Sequence, residues 1–410
     1  MNRRRFIFGS AGIGLLATGV NRYYPEQGFK NPCLTEMPDV LKNHPLMEQI
    51  WVGIKPQNVW DSHVHLLGVG DTKTKVPQDL PWSSPRLDSY EHPILKIQKY
   101  FYMNGTCSVT GDVDRSNISH LLAQIRQMPA GFKAMLFAFD WYYNEDGTIN
   151  RTNSTYHIPN EYAQHLAHNY SEAFEWVASI HPYRKDAITQ LEQAVKNGAR
   201  AIKWLPQAMG IDPASTKCDA FYVALAKHHL PIICHTGRER AILGGNQGDA
   251  NPLKLRRAMD AGVRVVLAHC ASDGEDEDLD TISKKKVKSF ALFARLMDEP
   301  KYNGLVFGDI SALTLFDHAW ALKPILEKTA WHNRLLNGSD YPLPGIFPLI
   351  SLKKLVRDGL LEEKYTAFLE VLRNYNALLF DFALKRLISW NAVQFPNQIF
   401  ETRPFFQSKI

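Results

Sequence analysis

From about residue 57 onward, short runs rich in β-branched and apolar residues alternate with longer amphipathic stretches. A chain with that rhythm has few options. Each short run becomes a strand, each amphipathic run becomes the helix that returns the chain, and repeated βα units build a parallel sheet. The expected strands are Asn58 to His65, Ala134 to Asp140, Trp176 to His181, Ala199 to Leu205, Pro231 to His235, Arg264 to His269, Leu305 to Ile310, and Leu335 to Asp340. Helices are expected at Asn117 to Gln127, Asp186 to Asn197, Ala214 to His229, Pro252 to Ala261, Ser283 to Met297, Asp317 to Lys328 and Phe347 to Arg357. Ala187, Leu191, Ala194 and Val195 show the three- and four-residue spacing of a buried helix face. A length of 410 residues admits two domains or one enlarged barrel, and eight strands favour an α/β fold of the (β/α)8 TIM-barrel kind.

Two connections stand out. Residues 66–112 follow the first strand and carry Pro77, Pro81, Pro85 and Pro93, which predicts a long loop overhanging the barrel mouth. Residues 272–288 hold Glu275-Asp276-Glu277-Asp278 and Lys284-Lys285-Lys286, a charge block expected to be a solvated loop and helix start. The chain beyond Leu361 reads as a helical extension that loses its pattern past Asn391. The expected organisation is an export signal and linker over 1–30, a barrel over 31–400 and a tail over 401–410.

Three of the charges behind the formal net charge of +5 sit at Arg3, Arg4 and Arg5, so the body is close to neutral and gives no reason to expect nucleic acid as a partner. The arginines lead into an apolar, glycine-containing run that resembles a twin-arginine export signal. That implies an exported or periplasmic protein; retention as an N-terminal anchor stays open, as does a cytoplasmic alternative. No segment of the body is apolar enough to span a bilayer. Cys33, Cys107, Cys218, Cys234 and Cys270 are scattered and odd in number, so neither a disulfide framework nor a zinc finger is expected.

The chemistry begins at Val59-Trp60-Asp61-Ser62-His63-Val64-His65. A strand's two-residue period puts Asp61, His63 and His65 on one face and Trp60, Ser62 and Val64 on the other. Three further strands end in metal-competent residues, His235, His269 and Asp340. Lys203 lies 32 residues before His235, His235 lies 34 before His269, and His269 lies 71 before Asp340. Because one βα unit takes about thirty residues, these positions fall at equivalent ends of strands four, five, six and eight. A barrel's active site collects at those ends.

His-x-His on strand one, His ending strands five and six, and Asp ending strand eight resemble the signature of the amidohydrolase superfamily. His181-Pro182-Tyr183-Arg184, Ala201-Ile202-Lys203-Trp204-Leu205-Pro206 and Ser339-Asp340-Tyr341-Pro342 resemble its amidohydrolase-2 branch, which also contains aminocarboxymuconate-semialdehyde decarboxylase. The resemblance covers about residues 57 to 360. It implies a divalent ion, most often zinc, held by His63, His65, His235 and Asp340, with His269 as a second-sphere acid/base or substrate-polarising group. In binuclear members the lysine of strand four is carboxylated and bridges two ions. In this branch one ion is more usual, and Lys203 then stays cationic and faces an anionic substrate.

Imidazole and carboxylate donors suit such an ion, and an ion of this kind lowers the pKa of a water toward neutrality. Asp340 or His269 is expected to move the proton, and the sequence does not choose between them. Arg238 offers a planar fork to a substrate carboxylate. His181, before Pro182, is expected to be structural. Cys234 and Cys270 are expected to pack, as are Trp82, Trp141 and Trp204. These features predict hydrolysis of an amide, ester or lactone bond of a small molecule through a metal-activated water. The rivals are a nonoxidative decarboxylase or carbon–carbon hydrolase of a small carboxylic acid, and a noncatalytic metal- or ligand-binding barrel. A homo-oligomer stays open.

Overall fold

The computed structural model describes residues 27–71, 93–240, 242 and 244–407. The arginine-led N-terminal run, most of the loop after the first strand, including Trp82, and the last three residues lie outside the described residues. Eight parallel strands form the barrel: β1 (Trp60–His65), β2 (Lys133–Phe137), β3 (Phe174–Val177), β4 (Ile202–Trp204), β5 (Ile232–His235), β6 (Val265–Ala268), β9 (Val306–Asp309) and β10 (Leu335–Leu336). They pair as two arcs, β1-β2-β3 and β4-β5-β6-β9-β10. Parallel bridges from Ala178 to Ile202 and from Val64 to Tyr341 join the arcs into a closed ring. The Ala178 amide bonds Ala201 O at 3.0 Å and the His65 amide bonds Tyr341 O at 2.9 Å. The (β/α)8 barrel expected from the strand rhythm is therefore the fold.

Strands buried on both faces must be apolar throughout. Outward residues such as Val64, Leu136 and Trp176 join a large cluster with the surrounding helices. Trp60, Met135, Phe137, Val177, Ala201, Ile233, Val266 and Leu336 fill the interior. The helices between strands include Val113–Arg126, Asn160–Asn169, Ala187–Lys196, Asp219–Lys227, Ser289–Asp298 and Leu322–Glu327. The Asn160–Asn169 helix is absent from the sequence expectation. Asp71, at the start of the long loop, accepts from the amides of Val113 at 2.8 Å and Asp114 at 3.1 Å, and so satisfies the N-terminus of the next helix. Among the described residues no helix is long and apolar enough to cross a membrane.

Four expectations are corrected. First, β1 does not alternate regularly. Asp61 pairs with Ala134 and Val64 with Leu136, so one extra residue lies between them and forms a β-bulge. Trp60 and His63, three apart, therefore both turn inward, and Asp61 serves the backbone instead of the interior. Second, the charge block is a hairpin: β7 (Glu275–Glu277) pairs antiparallel with β8 (Lys286–Lys288), setting Glu275 opposite Lys288 and Glu277 opposite Lys286. Unlike charges opposed across strands stabilise the pairing, and the helix expected from Ser283 begins only at Ser289. Third, Cys33 and Cys107 form a disulfide with Cα atoms 5.7 Å apart; 74 residues of separation give no sequence signature for it. Fourth, the expected tail is structural: Arg403–Gln407 is helical, and Phe405 and Phe406 close the barrel floor beneath the interior cluster.

Candidate metal centre

The bulge in β1 and the ends of β6, β9 and β10 bring the polar side chains together above the apolar floor. Ligand atoms of His63, His269 and Asp340 all lie within 4.8 Å of one another, and all three residues are buried. His63 Nε2 is 3.4 Å from Asp340 Oδ1, His65 Nε2 is 3.2 Å from the same oxygen, and His269 Nε2 is 3.8 Å from Asp340 Oδ2. Lys203 Nζ reaches His63 Nε2 at 3.0 Å. His235 stands beside His269, ring centroids 5.2 Å apart, with its Nε2 turned to Glu239 Oε2 at 3.4 Å. His269 and Asp340 adopt left-handed backbone angles, φ 57° and 60°. For non-glycine residues that conformation is uncommon, and it clusters where function requires it.

Two residues that sequence reasoning missed complete the arrangement. Asp309, ending β9, is fully buried. It accepts from His63 Nδ1 at 2.9 Å, from the His269 amide at 2.8 Å, and from the amide and hydroxyl of Ser311. An ionised carboxylate only accepts, so the proton of His63 sits on Nδ1 and the Nε2 lone pair faces the centre. Asp309 ends β9 just as His235 ends β5, and that position was the available signal. Glu239 is the other. In Arg238-Glu239-Arg240 the middle residue turns inward, whereas Arg238 is exposed and Arg240 pairs with Asp273. The expected carboxylate-binding Arg238 thus stands at the surface. Arg184 is held by Asp140 and Asp186. His181 hydrogen-bonds Met209 O and the Tyr183 amide.

The electrostatics suit metal binding. Burial, with the Lys203 ammonium adding to it, pushes His63 down to about 4. Burial also lowers His235 and His269, so all three imidazoles are neutral near pH 7 and have lone pairs to offer. For Asp309 and Asp340 burial works toward protonation, but the neighbouring imidazoles outweigh it and hold both carboxyls below their usual range. Burial lowers Lys203 as well, opposed by Asp309 and Asp340.

The donors fit a first-row divalent ion. Neutral imidazole and carboxylate are its usual ligands, and donors about 2.1 Å from a shared tetrahedral ion lie about 3.4 Å apart. The His63–Asp340 and His65–Asp340 separations match that spacing. Among the described residues the buried His235 Nε2 makes no hydrogen bond and has only the Glu239 carboxylate beside it, which leaves the nitrogen available to a metal. A second cluster, Asp273, Asp317 and His318, is weaker, because Arg240 takes both carboxylate oxygens of Asp273 at 2.6 and 2.9 Å.

The family model described as Amidohydrolase matches residues 61–346, most of the chain and all of this centre. The chain belongs to the amidohydrolase-2 family. No curated protein sequence matches this chain. Among solved structures it is similar to a TIM-barrel protein of Bordetella bronchiseptica, with 14% identity, 71% of this chain and 89% of that one covered, and a TM-score of 0.46. It is also similar to 5-carboxyvanillate decarboxylase from Sphingomonas paucimobilis, with 13% identity, 80% and 99% covered, and a TM-score of 0.43. A zinc-bound amidohydrolase from Burkholderia multivorans shares 13% identity over 79% and 95% of the two chains, with a TM-score of 0.41.

Proposed function

We propose that this amidohydrolase is a metal-dependent hydrolase that cleaves an amide, ester or lactone bond of a small molecule. The observation that carries the reading is the convergence of His63, His65, His269 and Asp340 at the carboxyl end of the barrel. In this reading His63, His65, His235 and Asp340 hold one divalent ion, most simply Zn2+. Such an ion supplies a Lewis acid and brings the pKa of water toward neutrality. The ionised Asp340 carboxylate accepts the proton of the attacking water. His269, 3.8 Å away with its Nδ1 fixed by Ser311, relays that proton to the leaving group. Lys203 orients the substrate from inside the barrel, and Asp309 keeps His63 in its ligating tautomer.

A second reading, nonoxidative decarboxylation of a small carboxylic acid, is favoured by one observation: the Lys203 amine is buried directly beside His63, where a carboxylate would meet it. The two are separated by supplying the metal-loaded chain with lactones, esters, amides and aromatic carboxylates, titrating released acid and trapping CO2. Acid release without CO2, abolished by Asp340→Ala, supports hydrolysis. CO2 release from a carboxylate would replace it with the second reading, and turnover of neither class by metal-loaded protein would favour a binding role. We also propose export through Arg3 and Arg4, supported by the Cys33–Cys107 disulfide, since disulfides persist in oxidising compartments. Replacing both arginines with Lys is expected to leave the protein in the cytoplasm; unchanged fractionation refutes this.

A further inference from the structure

Asp340 belongs to a short segment, Asn337 to Tyr341, that is held from two sides. On the barrel side β1 supplies a dense set of hydrogen bonds, beside the His269–Asp340 contact and the bond from the Asn337 amide to Ile399 O. The Ser62 amide and hydroxyl donate to Asn337 O at 3.2 and 2.9 Å, and the Asp340 amide donates to His63 O at 2.9 Å. Asp61 Oδ1 accepts from the amides of Ser339 at 2.8 Å and His63 at 3.2 Å. Gly338 presses so closely on His63 that a Cβ there would lie 2.5 Å from the His63 Cβ. On the other side stands helix Ala377–Leu387, which lies beyond the family match. Its Lys385, fully buried, donates to Gly338 O at 2.6 Å and to Asp381 Oδ2 at 2.6 Å.

We infer that the Asp381–Lys385 pair is a positioning device for Asp340, one that couples the docking of the C-terminal helix to the affinity of the metal centre. The inference rests on the metal-centre reading proposed above. The chain of contact is short. Lys385 fixes the carbonyl of Gly338, Gly338 bears on His63, and two residues further on is Asp340 with its left-handed backbone. A pair that only docked the helix would need no bond to the ligand-bearing segment. Here the shared donor reaches both.

The test uses the full chain, freed of metal and titrated with Co2+, reading affinity by chelator competition and the visible spectrum of the bound ion. Lys385→Met alone leaves the buried Asp381 carboxyl without its cation, so the deciding variant is Asp381→Ala/Lys385→Met. Replacing both members of a buried pair with apolar residues is often neutral for stability. The double variant is expected to keep its urea midpoint while Co2+ affinity falls by about 10- to 100-fold and the spectrum shifts. Wild-type affinity and spectrum in that variant overturn the inference. Loss of folding overturns it too, since the pair would then hold the fold instead of placing a ligand. A wild-type chain that binds no Co2+ is a different failure, that of the metal centre itself.

Discussion

Asp309→Asn is a change of one atom with a calculable consequence. The carboxylate accepts from His63 Nδ1 at 2.9 Å and from the amides of His269 and Ser311 at 2.8 and 3.1 Å. An asparagine of the same size keeps its oxygen for the two amides and turns its NH2 toward His63. That group only donates, so His63 Nδ1 must become the acceptor and the ring proton moves to Nε2. Nε2 is then no longer a ligand. Losing such an outer partner lowers metal affinity by about 10- to 100-fold, or about 1.4–2.8 kcal/mol. Stability of the metal-free chain moves much less, because a buried charge leaves together with its charge-assisted bond. Ser311 Oγ lies 3.1 Å from the same nitrogen, so the variant is also made with Ser311→Ala to remove that second acceptor. Chelator competition gives the affinity, and imidazole 15N shifts give the tautomer. An Asn variant that binds metal as tightly as the wild type, or that keeps the proton on Nδ1, refutes the assignment.

Other consequences are as direct. Cys33 and Cys107 close a loop spanning 74 residues, for which the chain-entropy relation gives about 4 kcal/mol. Cys33→Ser/Cys107→Ser, or reductant on the wild type, should lower the urea midpoint, and indifference to reductant contradicts the pairing. Gly338→Ala places a methyl 2.5 Å from the His63 Cβ and 3.0 Å from its nitrogen. Overpacking of that kind costs about 1–3 kcal/mol, and metal content should fall with the melting temperature; an unchanged melt would show that the segment gives way freely.

The fold was legible because a barrel repeats itself. Each strand end is an equivalent place, so His235, His269 and Asp340 could be aligned by spacing alone. Asp309 also ends a strand, but a lone acid there carries no motif until the neighbouring His63 is seen. What spacing could not supply was local geometry. The bulge after Asp61 depends on how β1 registers against β2, and it moves Trp60 to the face that simple alternation denies it. The hairpin of Glu275–Glu277 with Lys286–Lys288 depends on pairing across a turn, whereas the charges alone read as solvated. Glu239 and Arg238 are adjacent, and only the turn after β5 decides which one faces His235. The disulfide and the Phe405–Phe406 floor join parts of the chain too distant for any local pattern to reveal.

The central claim is that the strand ends build a metal centre, and the measurement that meets it most directly is elemental analysis of protein purified without chelators, alongside His63→Ala and Asp340→Ala. The account predicts about one divalent ion per chain, lost in both variants while the far-UV spectrum stays that of a folded barrel. Wild-type protein without metal, or variants that retain it in full, would contradict it.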